Sequence, residues 1–308
     1  MQTGTTQRKY YLMLLAFVGM ISCTRKADVN LPPHIPTLVL HSYLDVGEKF
    51  KAALGRTVST DTWVVDSAMN VKDGWMVLYE NGSFKDSLHY DSVENRYVAS
   101  TAVAEIGKSY RLVAGAQGYA TVEATTSAPH AVNTLSLQHI RNSRTDAAGS
   151  SLDDVVFSFQ DPGNEKNYYM AELRPAFPGM NYVCVYTYDP SVEKYTEGLL
   201  PFDQNSCISS QEIMYTDKAF NGKLKEITLS TDSYSLQTYT DPFTGEVMRP
   251  YLKRLSISEE YYKYFRETYA IYVNSGGPTL SDPIIIKGNV KNGYGLFTIF
   301  TSVTDSLP

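Results

Sequence analysis

The chain has 308 residues, 43% of them hydrophobic, with 27 Lys and Arg against 33 Asp and Glu and a formal net charge of −6. An acidic chain without a basic stripe argues against nucleic-acid binding and against charge-driven adhesion to anionic lipid headgroups. The length exceeds what one ordinary core serves, so two domains are the default expectation.

Arg8 and Lys9 are the only charges before an apolar run from Tyr10 to Ile21. A short basic region ahead of a hydrophobic one reads as a secretory leader, and the run falls short of the about 20 apolar residues that a membrane-spanning helix needs. Small Ser22 stands immediately before Cys23, and Met20-Ile21-Ser22-Cys23 resembles the lipobox of bacterial lipoproteins. That resemblance implies removal of residues 1–22, a diacylglycerol on the Cys23 sulfur and acylation of the new amino end; Met20 stands where leucine is usual. Each buried methylene contributes about 0.8 kcal/mol, so two or three fatty chains hold a protein firmly to a bilayer. Residues 23–36 are polar and then proline-rich, with no helical or strand period, and read as an extended tether behind the lipidated cysteine. The other two cysteines, Cys184 and Cys207, form an even pair suited to an exported protein. A bridge between them would close a loop of about two dozen residues, worth about 3 kcal/mol in the loop-entropy description. A free Cys184 on a strand and an unrelated Cys207 in a polar loop are the alternative.

The chain is expected to be mainly β, with two β-sandwich-like domains. From Thr37 to Pro129 short apolar runs alternate with turn chemistry, which predicts a sandwich of the immunoglobulin-like or transthyretin-like class over residues 37–129. In WMVLYENGSFKDSLHY, Asn81-Gly82 lies between two strand-like runs, and both residues tolerate the positive φ of a tight hairpin turn. In SYRLVAGAQGYATVEATTSAP, Gly118 allows a turn between two strands, and Pro129 stops the second. Lys108 in GKSY brushes against a phosphate-loop signature, but the first glycine of that motif would fall on Ala102 and no helix follows.

Residues 130–308 read as a second β-rich domain, entered through the polar stretch HIRNSRTDAAGSS. NYVCVYTY sets Tyr182, Cys184, Tyr186 and Tyr188 against Val183 and Val185, which predicts a strand covered on both sides or an aromatic face offered to a partner. One helix is expected at about 257–274. Ser256 with Glu259 fits a capping box, Ser258 is a second cap candidate, and Tyr261, Tyr264, Phe265, Thr268 and Tyr272 form one stripe. After it, DPIIIKGNVKNGYGLFTIF reads as two closing strands around a glycine-rich turn.

The order of LPPHIPTLVLHSYLDVGEKF, VLYENG, GKSYRLVAGAQGYATVEATTSAP, FSFQDPGNEKNYYM, YLKRLSISEEYYKYFRETY and NVKNGYGLFTIF resembles the Bacteroidetes lipoprotein family called domain of unknown function 4249. Where that family usually carries Asn-Gly-Leu-Gly before its last strand, this chain has Asn292-Gly293-Tyr294-Gly295. The resemblance implies an outer-membrane lipoprotein, often encoded near TonB-dependent transporters, with an immunoglobulin-like first half. It carries over no catalytic residue.

The histidines, His34, His41, His89, His130 and His139, show neither the i,i+4 pairing of a zinc helix nor a cysteine at metal spacing, and no G-x-S-x-G elbow is present. Asp161, Asn164 and Glu165 lack the alternating ligands of a calcium loop and read as a Pro-Gly turn with solvated acids. No cofactor or metal is therefore expected. The 24 tyrosines suit contact with sugars, peptides or proteins, although any one of them more often packs a core. The expected function is that of a non-catalytic accessory binding or interaction protein, lipid-anchored at the outer membrane beside a TonB-dependent transporter. A structural or adhesive surface protein, and a hydrolase with an unrecognised carboxylate site, are the alternatives. The triplets Asp66-Ser67-Ala68, Asp86-Ser87-Leu88 and Asp91-Ser92-Val93 resemble acceptors for O-glycans.

Overall fold

Period-two alternation of apolar residues governs the first half of the chain. The computed structural model describes residues 33–59, 69–146, 149–163, 165–180, 183–192, 212–274, 286 and 288–308. In β1 (Leu38–Asp45) the side chains of Leu38, Leu40 and Leu44 are buried while Tyr43 on the other face is exposed. The same rhythm runs through β2 (Lys49–Arg56), β3 (Trp75–Glu80), β4 (Ser83–Asp91), β5 (Arg96–Val103), β6 (Ser109–Gly115) and β7 (Val122–Ser127). Asn81 and Gly82 take φ of 48° and 85° in the β3–β4 turn, the left-handed pair that a two-residue hairpin demands.

The second half contributes β8 (Thr134–Thr145), β9 (Ser151–Gln160), β10 (Tyr168–Arg174), β11 (Glu212–Thr216) and β12 (Leu224–Asp232). A two-stranded ribbon, β13 (Tyr239–Thr240) and β14 (Val247–Met248), precedes β15 (Tyr251–Ile257), helix α1 (Glu259–Asn274), β16 (Val290–Lys291) and β17 (Tyr294–Ser306). Twelve strands make one sheet in the order β11-β10-β15-β17-β1-β2-β5-β4-β3-β6-β7-β16, and β12-β9-β8 make a second.

Strand β17 joins the halves. Residues Tyr294–Phe300 pair in parallel with β1, and Thr301–Ser306 pair antiparallel with β15. The two sandwich-like halves therefore share one sheet, and residues 36–308 form a single compact unit. Their cores differ. The first draws on residues from Leu38 to Ala128 together with Phe297 and Ile299, with the Phe50 ring 4.8 Å from Tyr110 and 6.3 Å from Phe297. These contacts arise because the sheet curls back on itself: β16 pairs with β7, and only Asn292-Gly293 separates β16 from β17 on the other side. The second core, from Val132 to Leu252 with Leu307, lies between the β8–β9–β12 sheet and one face of β10, β11 and β15.

The opposite face of those three strands carries Met170, Met214, Leu255 and Ile257, and α1 covers it with buried Tyr262 and partly buried Tyr261 and Phe265. Tyr262 is absent from the stripe expected on sequence. The helix meets β10 as well as β17, so its buried face is wider than one line of residues. Its cap is Ser258, whose Oγ accepts the Tyr261 amide at 3.1 Å; Ser256 is a buried residue of β15. Arg254 is 3% exposed and ties β15 to the segment leading into β8 inside the second half. Its guanidinium donates to the Val132 carbonyl at 2.7 Å and to Thr134 Oγ1 at 2.8 Å, and lies over the Phe157 and Phe159 rings.

Candidate functional site: a polar cleft at the seam

A cleft of about 640 Å³ opens where the first core ends and the second begins. Gly107 and three short segments line it: residues 125–130 at the end of β7 and just beyond it, residues 165–168 leading into β10, and residues 256–260 from the end of β15 into α1. Each is held by bonds behind the wall. Ala128 donates to the Lys108 carbonyl at 3.0 Å, and the Pro129 carbonyl accepts Thr301 Oγ1 at 2.5 Å.

The second wall rests on two buried carboxylates. Asp161, 2% exposed, accepts the Tyr169 hydroxyl at 2.5 Å and the Gly222 amide at 2.8 Å. Asp217, 3% exposed, accepts the Asn167 amide at 2.9 Å and Asn221 Nδ2 at 2.7 Å, and Asn221 also donates to the Glu165 carbonyl. Burial raises the Asp161 pKa, and the charges of Asp217 and Glu165 add to it. Asp161 thus acts as a structural clamp under the Pro-Gly turn; Asn164 lies outside the described residues.

Where the second wall meets the third, Tyr168 packs on Tyr262 of α1 with ring centroids 5.0 Å apart. Burial, then hydrogen bonding to Glu259, pushes the Tyr168 phenol up to about 12. Lys263, 2.7 Å from Glu259 Oε1, and then Tyr168 hold the Glu259 carboxyl below its usual range. At neutral pH the cleft presents an ionised Glu259, a protonated Tyr168, and the hydroxyls of Thr125, Ser127 and Ser258 beside Glu165, Glu260, Lys166 and His130. More of the lining surface is polar than apolar, which suits a polar ligand held by hydrogen bonds.

Of the residues singled out on sequence, Pro129, His130, Glu165, Ser256, Ser258 and Glu259 line the cleft and the others fall elsewhere. Cys23 and Cys207 lie outside the described residues; Cys184 is disulfide-bonded, so the pairing with Cys207 itself remains a proposal. Tyr182 is likewise outside, and in the rest of that stretch Val183 and Val185 are buried while Tyr188 is 58% exposed. His41 stacks on Tyr43 at 6.1 Å, with Tyr264 edge-on at 6.2 Å, and His130 alone of the five histidines lines the cleft. Ser92 sits exposed in the β4–β5 turn, Ser87 is half-buried in β4, and Ser67 is outside the described residues.

Sequence reasoning missed one polar cluster. His139 Nε2 lies 2.7 Å from Asp153 Oδ2, while Asp153 Oδ1 accepts the Asn142 amide at 2.9 Å and the Ser233 hydroxyl. The carboxylate stands between serine and histidine, so the histidine cannot take the serine proton as in a hydrolase triad. What the cluster does is hold the bulge of β8, where Asn142 takes φ of 49°. Among the described residues no group of three or more His, Cys, Asp or Glu side chains is placed to hold a metal, and no helix is long and apolar enough to cross a membrane.

A family model described as "Domain of unknown function (DUF4249)" matches residues 24–306. The chain belongs to the DUF4249 family. No curated protein matches it. Among solved structures, this DUF4249 chain is similar to "Biofilm associated protein - BSP domain" at 6% identity and a TM-score of 0.21, covering 88% of this chain and 59% of that one. It is also similar to a "Putative membrane anchored protein from Corynebacterium diphtheriae" at 10% identity and a TM-score of 0.21, covering 74% and 55% respectively. The chain thus spans less than two thirds of either structure, and likeness at this level carries no argument about function.

Proposed function

We propose that this DUF4249 protein is a non-catalytic binding protein, anchored to the outer membrane through lipid on Cys23, that works beside a TonB-dependent transporter. The observation that carries the binding role is the polar cleft at the seam, whose walls are fixed by buried hydrogen bonds and so are organised before a ligand arrives. The anchor rests on the lipobox-like Met20-Ile21-Ser22-Cys23, and the transporter on family resemblance.

The test is affinity purification of the lipidated protein from native membranes, alongside Cys23→Ala and Ser127→Arg forms. Ser127 is an exposed lining residue, so arginine there fills the cleft without entering a core. The expected result is a stable transporter complex, loss of membrane association for Cys23→Ala, and loss of a co-purifying ligand or of the complex for Ser127→Arg. Self-association or matrix binding without a transporter would favour a structural protein, and turnover of a small substrate by the purified body would favour an enzyme.

A further inference from the structure

The β13–β14 ribbon presents an aromatic residue at its tip. Phe243 is 96% exposed, and the turn under it is tied closely. The Asp241 carboxylate accepts the Phe243 amide at 2.7 Å and the Thr244 amide at 3.0 Å. The Asp241 main chain accepts from Gly245 at 2.9 Å and donates to Glu246 at 2.8 Å, and Gly245 supplies a φ of 73°. These bonds fix the backbone of the tip, and the phenyl ring it carries stands in solvent. The stem is braced by Phe177, edge-on to Tyr239 at 4.8 Å. A large apolar side chain on a pre-formed turn has little ordering cost on docking, which is the character of an anchor residue.

We propose that Phe243 anchors a protein partner whose apolar pocket is rimmed by lysine or arginine. The tip from Asp241 to Glu246 carries two carboxylates and no cation, and the partner is chosen by that charge. A bilayer is the poorer occupant, since both carboxylates would approach anionic headgroups or lose water as the ring entered. A second copy is also poorer, because the chain carries a formal net charge of −6. This docking surface goes beyond the cleft and does not depend on it.

The test places a photoreactive benzoylphenylalanine at position 243 of the full chain in intact cells. A control probe goes at Val93, 92% exposed in a different turn. One discrete protein adduct is expected from position 243 and none from 93, with a yield that falls about fivefold or more in a Glu246→Lys background and in high salt. Thermal denaturation checks that Glu246→Lys keeps the fold. Adducts with lipid or with another copy, no protein adduct, the same adduct from both positions, or a yield indifferent to Glu246→Lys would each overturn the assignment.

Discussion

The side chain of Asn289 takes up both main-chain groups of Phe297, donating to its carbonyl at 2.7 Å and accepting its amide at 2.9 Å. The same Nδ2 donates to the Thr125 carbonyl on β7 at 3.0 Å. One amide thus stands in for ladder bonds where the curled sheet brings β7 alongside β17. Asn289→Ala leaves the main chain of fully buried Phe297 unpaired and is expected to cost about 2–3 kcal/mol. Asn289→Asp, which keeps an acceptor but turns a charge toward two carbonyls, is expected to cost at least as much at neutral pH. Urea denaturation midpoints measure both, and unchanged midpoints would mean that the seam closes without this residue.

Gly293 and Gly295 show why β17 is entered through Asn292-Gly293-Tyr294-Gly295. A Cβ on Gly293 would stand 2.6 Å from the Leu38 carbonyl and 2.6 Å from Val122 Cγ1, and one on Gly295 would run into the Leu40 carbonyl. Gly293→Ala must push main chain apart and is expected to cost about 2–3 kcal/mol. Gly82→Ala is the control. Its site has φ of 85° and nothing within 4 Å, so only the left-handed strain of about 1 kcal/mol applies. Equal losses in the two variants would show that close approach at Gly293 does not matter.

Asp86 sets an acid limit on the first core. Burial pushes its pKa up, but hydrogen bonds from the Thr101, Ala102 and Ser87 amides outweigh burial and hold it below its ordinary 3.8. A carboxyl depressed in the folded state stabilises above its unfolded pKa, and that contribution is lost as pH falls through the folded value. The stability gap between the parent and Asp86→Asn is therefore expected to be constant near neutrality and to shrink as pH drops past about 4. A gap that widens in acid would refute this.

Ser258→Ala removes the acceptor for the Tyr261 amide and is expected to cost about 1 kcal/mol. Hydrogen exchange localises the effect, with faster exchange at Tyr261 in the first turn of α1. Ser256→Ala lies in the ladder of β15 and leaves that amide protected. If both variants exposed Tyr261 equally, the cap would not reside at Ser258.

Local rules account for what was readable in the sequence. Asn81-Gly82 named its turn because few residues adopt two successive positive φ angles, and alternating burial along β1 to β7 follows from the pleat. The helix was readable as an element, yet its capping box pointed to Ser256. Spacing alone does not tell whether the preceding residue belongs to a strand, and pairing with Tyr169 and Thr301 places Ser256 in one.

By itself the sequence determined a mainly β chain with a helix ahead of its last strands, its family, and the turn residues that punctuate it, since each of these depends on neighbours a few positions apart. Only the tertiary structure decided that β17 would serve two cores, that Asn289 would bridge β7 to β17, and that residues near 128, 166 and 258 would share a cleft. Those outcomes depend on which buried faces meet when the sheet curls. Apolar patterning specifies that a face is buried without specifying against what.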